Sequence, residues 1–200
     1  MMNTVYILIN GIRTDPDDQH AWTDRLCTLL NLRTPNNVKA EKFEYQCSAT
    51  FRRVGQSQRA RDLIERVTTY RNEGWRVVLI GHSNGCDLIA RVVGHLYVPE
   101  VHLFAPAAED NDFAEALEHL RISRLYIYGS RNDKALKFAS FTSRILRWMR
   151  LGYGSLGLRG AELAARFPHQ TRDRSQHDFG HSTWFEPQRI EETLRLILTP

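Results

Sequence analysis

Short apolar runs alternate with amphipathic helical segments along the whole chain, and this alternation restricts most severely what it can fold into. Thr4–Asn10, Val38–Cys47, Trp75–Ile80, Glu100–Phe104 and Arg124–Tyr128 read as strands buried on both faces of a parallel sheet. The order of elements places a sixth strand near Ser175–Phe179. Between the strands, Ala21–Leu32 carries Trp22, Leu26, Leu29 and Leu30 on one helical face, and Ser57–Asn72 repeats Ala60, Leu63, Ile64 and Val67. Asn84–Leu96, Asp112–Leu120, Lys134–Met149 and Pro187–Leu198 complete the helices, with Pro187 expected in a first turn, where its missing N–H costs nothing. Leu151–Arg159, with Gly152, Gly154 and Gly157, reads as a loop in the long connection between the fifth and sixth strands. The expected architecture is a three-layer α/β/α sandwich around a mostly parallel sheet of about six strands.

At 200 residues, 42% apolar and 25% charged, the chain can build a substantial core, so residues 1–200 are expected to form one domain. No apolar stretch approaches the roughly 20 residues that span a bilayer, and the Val5–Ile9 run lacks a basic leader and a cleavage site. Neither a membrane anchor nor a signal peptide is expected. Cys27, Cys47 and Cys86 form no CxxC pair, which indicates neither a disulfide framework nor a zinc site and points to a reducing cytoplasm. The 27 cationic residues are offset by 23 anionic ones, a balance that argues against nucleic acid as a partner. The exception runs from Arg144 to Arg174, where only Glu162 and Asp173 oppose seven arginines.

Chemistry concentrates at Gly81-His82-Ser83-Asn84-Gly85, directly after one predicted strand and directly before a helix. That placement puts a serine on a strained turn with its hydroxyl exposed, while the helix N-terminus aims N–H groups at the same spot. The lesser alternative is a glycine-rich turn that holds a phosphate or caps the helix with Ser83. A serine nucleophile needs a base, and the base an orienting carboxylate. Asp133 follows the fifth strand and His181 precedes the last helix, giving the chain order Ser83, Asp133, His181. His177 competes for the base, and Glu109 and Asp110 for the acid. His82 is expected to shape the turn or the pocket. An oxyanion needs two backbone donors. The N–H of Asn84 supplies one, and the loop after the first strand the other, from Ile12 with Gly11 as the near alternative.

Residues 137–176 are expected to form a lid or pocket wall, in which Phe138, Phe141, Ile145 and Trp148 recur at helical spacing beside Arg144, Arg147 and Arg150. With Phe138, Phe141, His82 and Trp184 around the site, the substrate expected is a small ester or lipid-like molecule, with no cofactor and no metal. A helix packed on the sheet with a solvated arginine face accounts for the same spacing.

Asn10-Gly11-Ile12 after the first strand, the Gly81–Gly85 turn, Tyr128-Gly129-Ser130-Arg131-Asn132-Asp133 and Phe179-Gly180-His181-Ser182 together resemble the α/β-hydrolase superfamily. Within it, Ser130–Leu136 and Arg150-Leu151-Gly152 are similar to small, poorly characterised bacterial and phage members. The resemblance covers almost the whole chain and implies a minimal version of the fold, without its first two strands, with the roles above falling on Ser83, Asp133 and His181. Asn10-Gly11 stands where the family usually has His-Gly. The activity implied is carboxylic ester hydrolysis. An amidase, peptidase or thioesterase of the same fold, a non-catalytic binding protein built on it, and a flavodoxin-like phosphate binder are the alternatives.

Overall fold

The computed structural model describes residues 2–11, 21–45, 56–137, 154 and 156–199. Among these, β1 (Thr4–Ile9), β2 (Val38–Phe43), β3 (Arg76–His82), β4 (Val98–Phe104), β5 (Ile122–Tyr128) and β6 (Thr171–Asp173) form one sheet in the order β2-β1-β3-β4-β5-β6. Every pairing is parallel. The near-continuous apolar strands follow from this, since a parallel sheet is covered on both faces. On one face α2 (Gln56–Asn72), α3 (Gly85–Val93), α4 (Asp110–Glu118) and α5 (Leu156–Arg166) bury Leu63, Val67, Ile89, Val92, Phe113, Leu117 and Leu163 against Val5, Ile7, Val77 and Leu79. On the other, α1 (Trp22–Arg33) and α6 (Ile190–Leu198) bury Leu26, Leu30, Leu194 and Ile197 against Leu8, Val78, Ile80 and Phe104. The result is the three-layer sandwich.

Strand β1 lies between β2 and β3, so the chain leaves it to one side and returns on the other. Helices on opposite faces then diverge and leave a crevice at the carboxyl ends of β1 and β3, the usual ligand position in open α/β sheets. Ile9 pairs with Gly81 at that crevice. Deeper on the α1 and α6 face, the buried carboxylate of Glu100 is held by Arg76 and Arg124, each at 2.7 Å, and by His102 at 3.0 Å.

Three expectations are corrected. The sixth strand is Thr171–Asp173, paired with Leu125–Ile127, and not residues 175–179. A three-residue edge strand with Arg172 and Asp173 exposed shows no apolar run, and Phe179 is instead buried against Trp184 with ring centroids 4.5 Å apart. Residues 156–159, read as loop, open α5. Their glycine is there for close packing: Gly157 N–H donates to Pro106 O, and its carbonyl accepts from Ser130 N–H, both at 3.0 Å, and a Cβ on it would stand 2.5 Å from Leu136 Cδ1 and 3.0 Å from Pro106 O. Helix α6 also begins at Ile190, leaving Pro187 in the preceding turn. Of residues 137–176, the described part contains α5 and β6, both layers of the sandwich, whereas 138–153 lie outside the described residues.

Candidate active site

Ser83 directly follows β3 and lies in the left-handed region, with φ 54°, which a residue bearing a Cβ adopts only where its surroundings impose it. Here they do. Ser83 N–H donates to Phe104 O at 3.0 Å, and Ser83 O accepts from Cys86 N–H at 3.1 Å and from Ala107 N–H at 3.2 Å. The turn is therefore fixed partly by its own helix and partly by the end of β4. Gly85 lets α3 meet β1, since a Cβ there would stand 2.4 Å from Asn10 O and 2.6 Å from Ile9 O.

The loop before α6 carries His181 over this turn. Its Nε2 accepts from Ser83 Oγ at 2.8 Å, while Nδ1–H donates to Asp133 Oδ2 at 2.7 Å. Asp133 is fully buried, and its other oxygen accepts Leu136 N–H at 2.9 Å, so both carboxylate oxygens are engaged. His177 is exposed, and its carbonyl accepts from Ser130 Oγ at 3.2 Å. Asp110 opens α4, with Glu109 as its N-cap. Gly11 borders the serine, since a Cβ on it would lie 3.0 Å from Ser83 Cβ. The Asn84 and Gly85 N–H groups precede the first bond of α3, which Cys86 N–H makes. Ile12, Phe138 and Phe141 lie outside the described residues.

His82 is buried beneath the pair, with its Nε2 3.0 Å from the His181 carbonyl. A carbonyl only accepts, so Nε2 carries the proton. Burial, reinforced by the neighbouring His181, lowers the His82 pKa to about 4. Its Nδ1 accordingly holds a lone pair, and it meets no donor among the described residues. Trp184, expected to line the pocket, is corrected to the core: it is 1% exposed and sits 5.6 Å from both Phe104 and Tyr128 by ring centroids. Phe185, buried in the same core, also reaches the site, edge-on to His82 at 5.3 Å and stacked on Trp22 at 4.0 Å. Sequence reasoning also missed the part played by Ala105–Ala107; the available signal was the run of small residues Ala105-Pro106-Ala107-Ala108 directly after β4.

A pH dependence of stability follows. The unfolded chain protonates His82 near 6.5 and the folded chain only near 4, so the unfolded state binds the extra proton between those values. Stability contributed by neutral His82 is complete above pH 6.5 and is lost as pH falls towards 4. At about 1.4 kcal/mol per unit of depression, this amounts to roughly 3 kcal/mol. Buried His102, also lowered, acts in the same direction. The urea midpoint should fall between pH 7 and pH 4.5, and fall less in His82→Gln.

No protein-family model and no curated protein matches the sequence. Solved structures do. An uncharacterized protein from Bacillus cereus ATCC 10987 superposes with a TM-score of 0.67 at 13% identity over 99% of this chain, which spans only 59% of that protein. Esterase PE8 gives 0.64 at 12% identity, covering 98% of this chain and 92% of its own. A Xanthomonas campestris protein assigned to the hydrolases of the alpha/beta superfamily gives 0.58 at 14%, covering 98% of both chains. The fold is that of the α/β hydrolases. Among the described residues of this α/β-hydrolase fold, no helix is long and apolar enough to cross a membrane, and no group of His, Cys, Asp and Glu could hold a metal ion.

Proposed function

We propose that the chain is a serine hydrolase that cleaves carboxylic esters through an acyl-enzyme on Ser83. One observation carries this reading: an unbroken series of hydrogen bonds from Ser83 Oγ through His181 to buried Asp133. With Nδ1–H directed at the carboxylate, the Nε2 lone pair of His181 is free to take the Ser83 proton as Oγ attacks the ester carbonyl. The imidazolium so formed is stabilised by Asp133 and passes its proton to the departing alkoxide. The N–H of Asn84 and one N–H from the first loop, Ile12 or Gly11, are the proposed donors to the oxyanion. Water then loses a proton to His181 Nε2 and attacks the acyl carbonyl. The carbon–Oγ bond breaks, Ser83 regains the proton, and the carboxylic acid leaves.

Esters are favoured over amides because an alkoxide leaves without the full protonation that an amine requires. The likeness to named esterases supports the same reaction class, and the free thiols of Cys27 and Cys86 fit a reducing cytoplasm. The test is a fluorophosphonate probe together with p-nitrophenyl esters of increasing acyl length, with a thioester and a peptide as controls. Stoichiometric labelling and ester turnover are expected. Labelled protein that cleaves only the peptide or thioester would move the reaction class, and absence of labelling would leave a binding protein built on this fold.

A further inference from the structure

We infer that His82 is a positioning residue for the second half of the reaction, holding His181 in place while Ser83 is acylated. The inference rests on the serine-hydrolase reading above and on how His181 is tethered. Three side chains hold it: Ser83 Oγ at Nε2, Asp133 at Nδ1, and His82 Nε2–H at the backbone carbonyl. The first two are part of the chemistry. The third is not, and it reaches the main chain, so it is indifferent to what happens at the reacting atoms.

That difference matters once the acyl-enzyme forms. Ser83 Oγ is then an ester oxygen with no hydrogen to donate, and the 2.8 Å bond that drew the imidazole towards the nucleophile is gone. Asp133 can still hold Nδ1, and Trp184 and Phe185 still anchor the loop on the core, but a single bond at Nδ1 does not by itself fix how far Nε2 stands from the acyl carbon. The His82 bond survives unchanged, because it joins the residue next to the nucleophile to the residue that must now activate water. It is also built to last. His82 is packed edge-on to Phe185 at 5.3 Å and to Trp22 at 5.9 Å, with the His181 ring 5.1 Å away. Its burial keeps it neutral beside an imidazole that becomes cationic in each half-reaction, so the tether adds no charge repulsion.

Deacylation, in which water loses a proton to His181 and Ser83 Oγ is expelled, should therefore depend on His82 more than acylation does. Two variants separate the donor from the bulk. His82→Met fills similar space without an N–H, and His82→Gln places an amide N–H near the position of Nε2. With p-nitrophenyl acetate, His82→Met should lower kcat between about tenfold and a hundredfold, the scale of a misplaced catalytic group. KM should fall with it, so kcat/KM changes much less, and a stoichiometric burst of p-nitrophenol should appear as acyl-enzyme accumulates. His82→Gln should recover most of the lost kcat. Equal losses in kcat and kcat/KM, an unchanged kcat, or no advantage of Gln over Met would each overturn the inference.

A second measurement does not require turnover. Ser83→Ala removes the same bond that acylation removes, so the downfield proton resonance of His181 Nδ1–H should remain sharp in Ser83→Ala and broaden in the Ser83→Ala/His82→Met double variant. An equally sharp signal in both defeats the tether, whereas a wild-type protein that neither labels nor turns over defeats the hydrolase reading alone.

Discussion

Replacing Ser83 by alanine is expected to abolish fluorophosphonate labelling and lower ester hydrolysis by a factor on the order of 10⁶, the loss seen when a member of a working nucleophile and base pair is removed. The fold should persist, because the three hydrogen bonds that fix residue 83 are all made by its main chain. Ser83→Gly provides a sharper comparison. It should be equally inactive, yet it should unfold at a higher temperature than Ser83→Ala, since a residue with a Cβ at φ 54° is disfavoured by about 1 to 2 kcal/mol and glycine is not. Stoichiometric labelling of Ser83→Ala would mean that another nucleophile does the work.

The second large effect is expected at Asp133, and there the change is one of proton placement. In Asp133→Asn the amide oxygen can still accept Leu136 N–H, which preserves the local turn. The amide nitrogen then faces His181 Nδ1 and donates to it, so the imidazole proton is forced onto Nε2. An imidazole protonated there cannot accept from Ser83 Oγ. Ester hydrolysis should fall by about 10⁴-fold, as the wrong tautomer costs in a serine protease, while the melting temperature stays close to that of the parent. Activity within a few-fold of the parent in Asp133→Asn, with loss in Asp110→Ala, would move the acid to the end of β4.

The sequence disclosed most where one residue type answered to one physical demand. A serine between glycines, at a strand-to-helix junction, has few explanations other than an exposed hydroxyl on a strained turn, and Ser83 has that conformation. The apolar strands were legible because a parallel sheet buries both faces. What escaped depended on partners far along the chain. Nothing local in Thr171-Arg172-Asp173 marks a strand; it becomes one because the edge of β5 is available to pair with. Gly157 looked like a loop glycine because its reason is the close approach of Leu136 and the Pro106 backbone, both far along the chain. The difference between Trp184 and Phe185 was hidden for a related reason: both are large, aromatic and buried in the same core, and the 3₁₀ turn at Thr183–Phe185 is what brings Phe185 edge-on to His82.

The contacts that assemble the site also make it a reporter on folding. Ser83 and His181 are 98 positions apart, and Asp133 and His181 are 48 apart, so no short fragment holds the three groups together, and their union waits on loop closures that are slow to form. The segment bearing His181 comes after Ser83 and Asp133 in the chain and is anchored by Trp184, Phe185 and the bond from Thr193 Oγ1 to Trp184 O. During refolding, recovery of reactivity should therefore track the docking of this C-terminal segment and lag the far-ultraviolet signal of the sheet and helices.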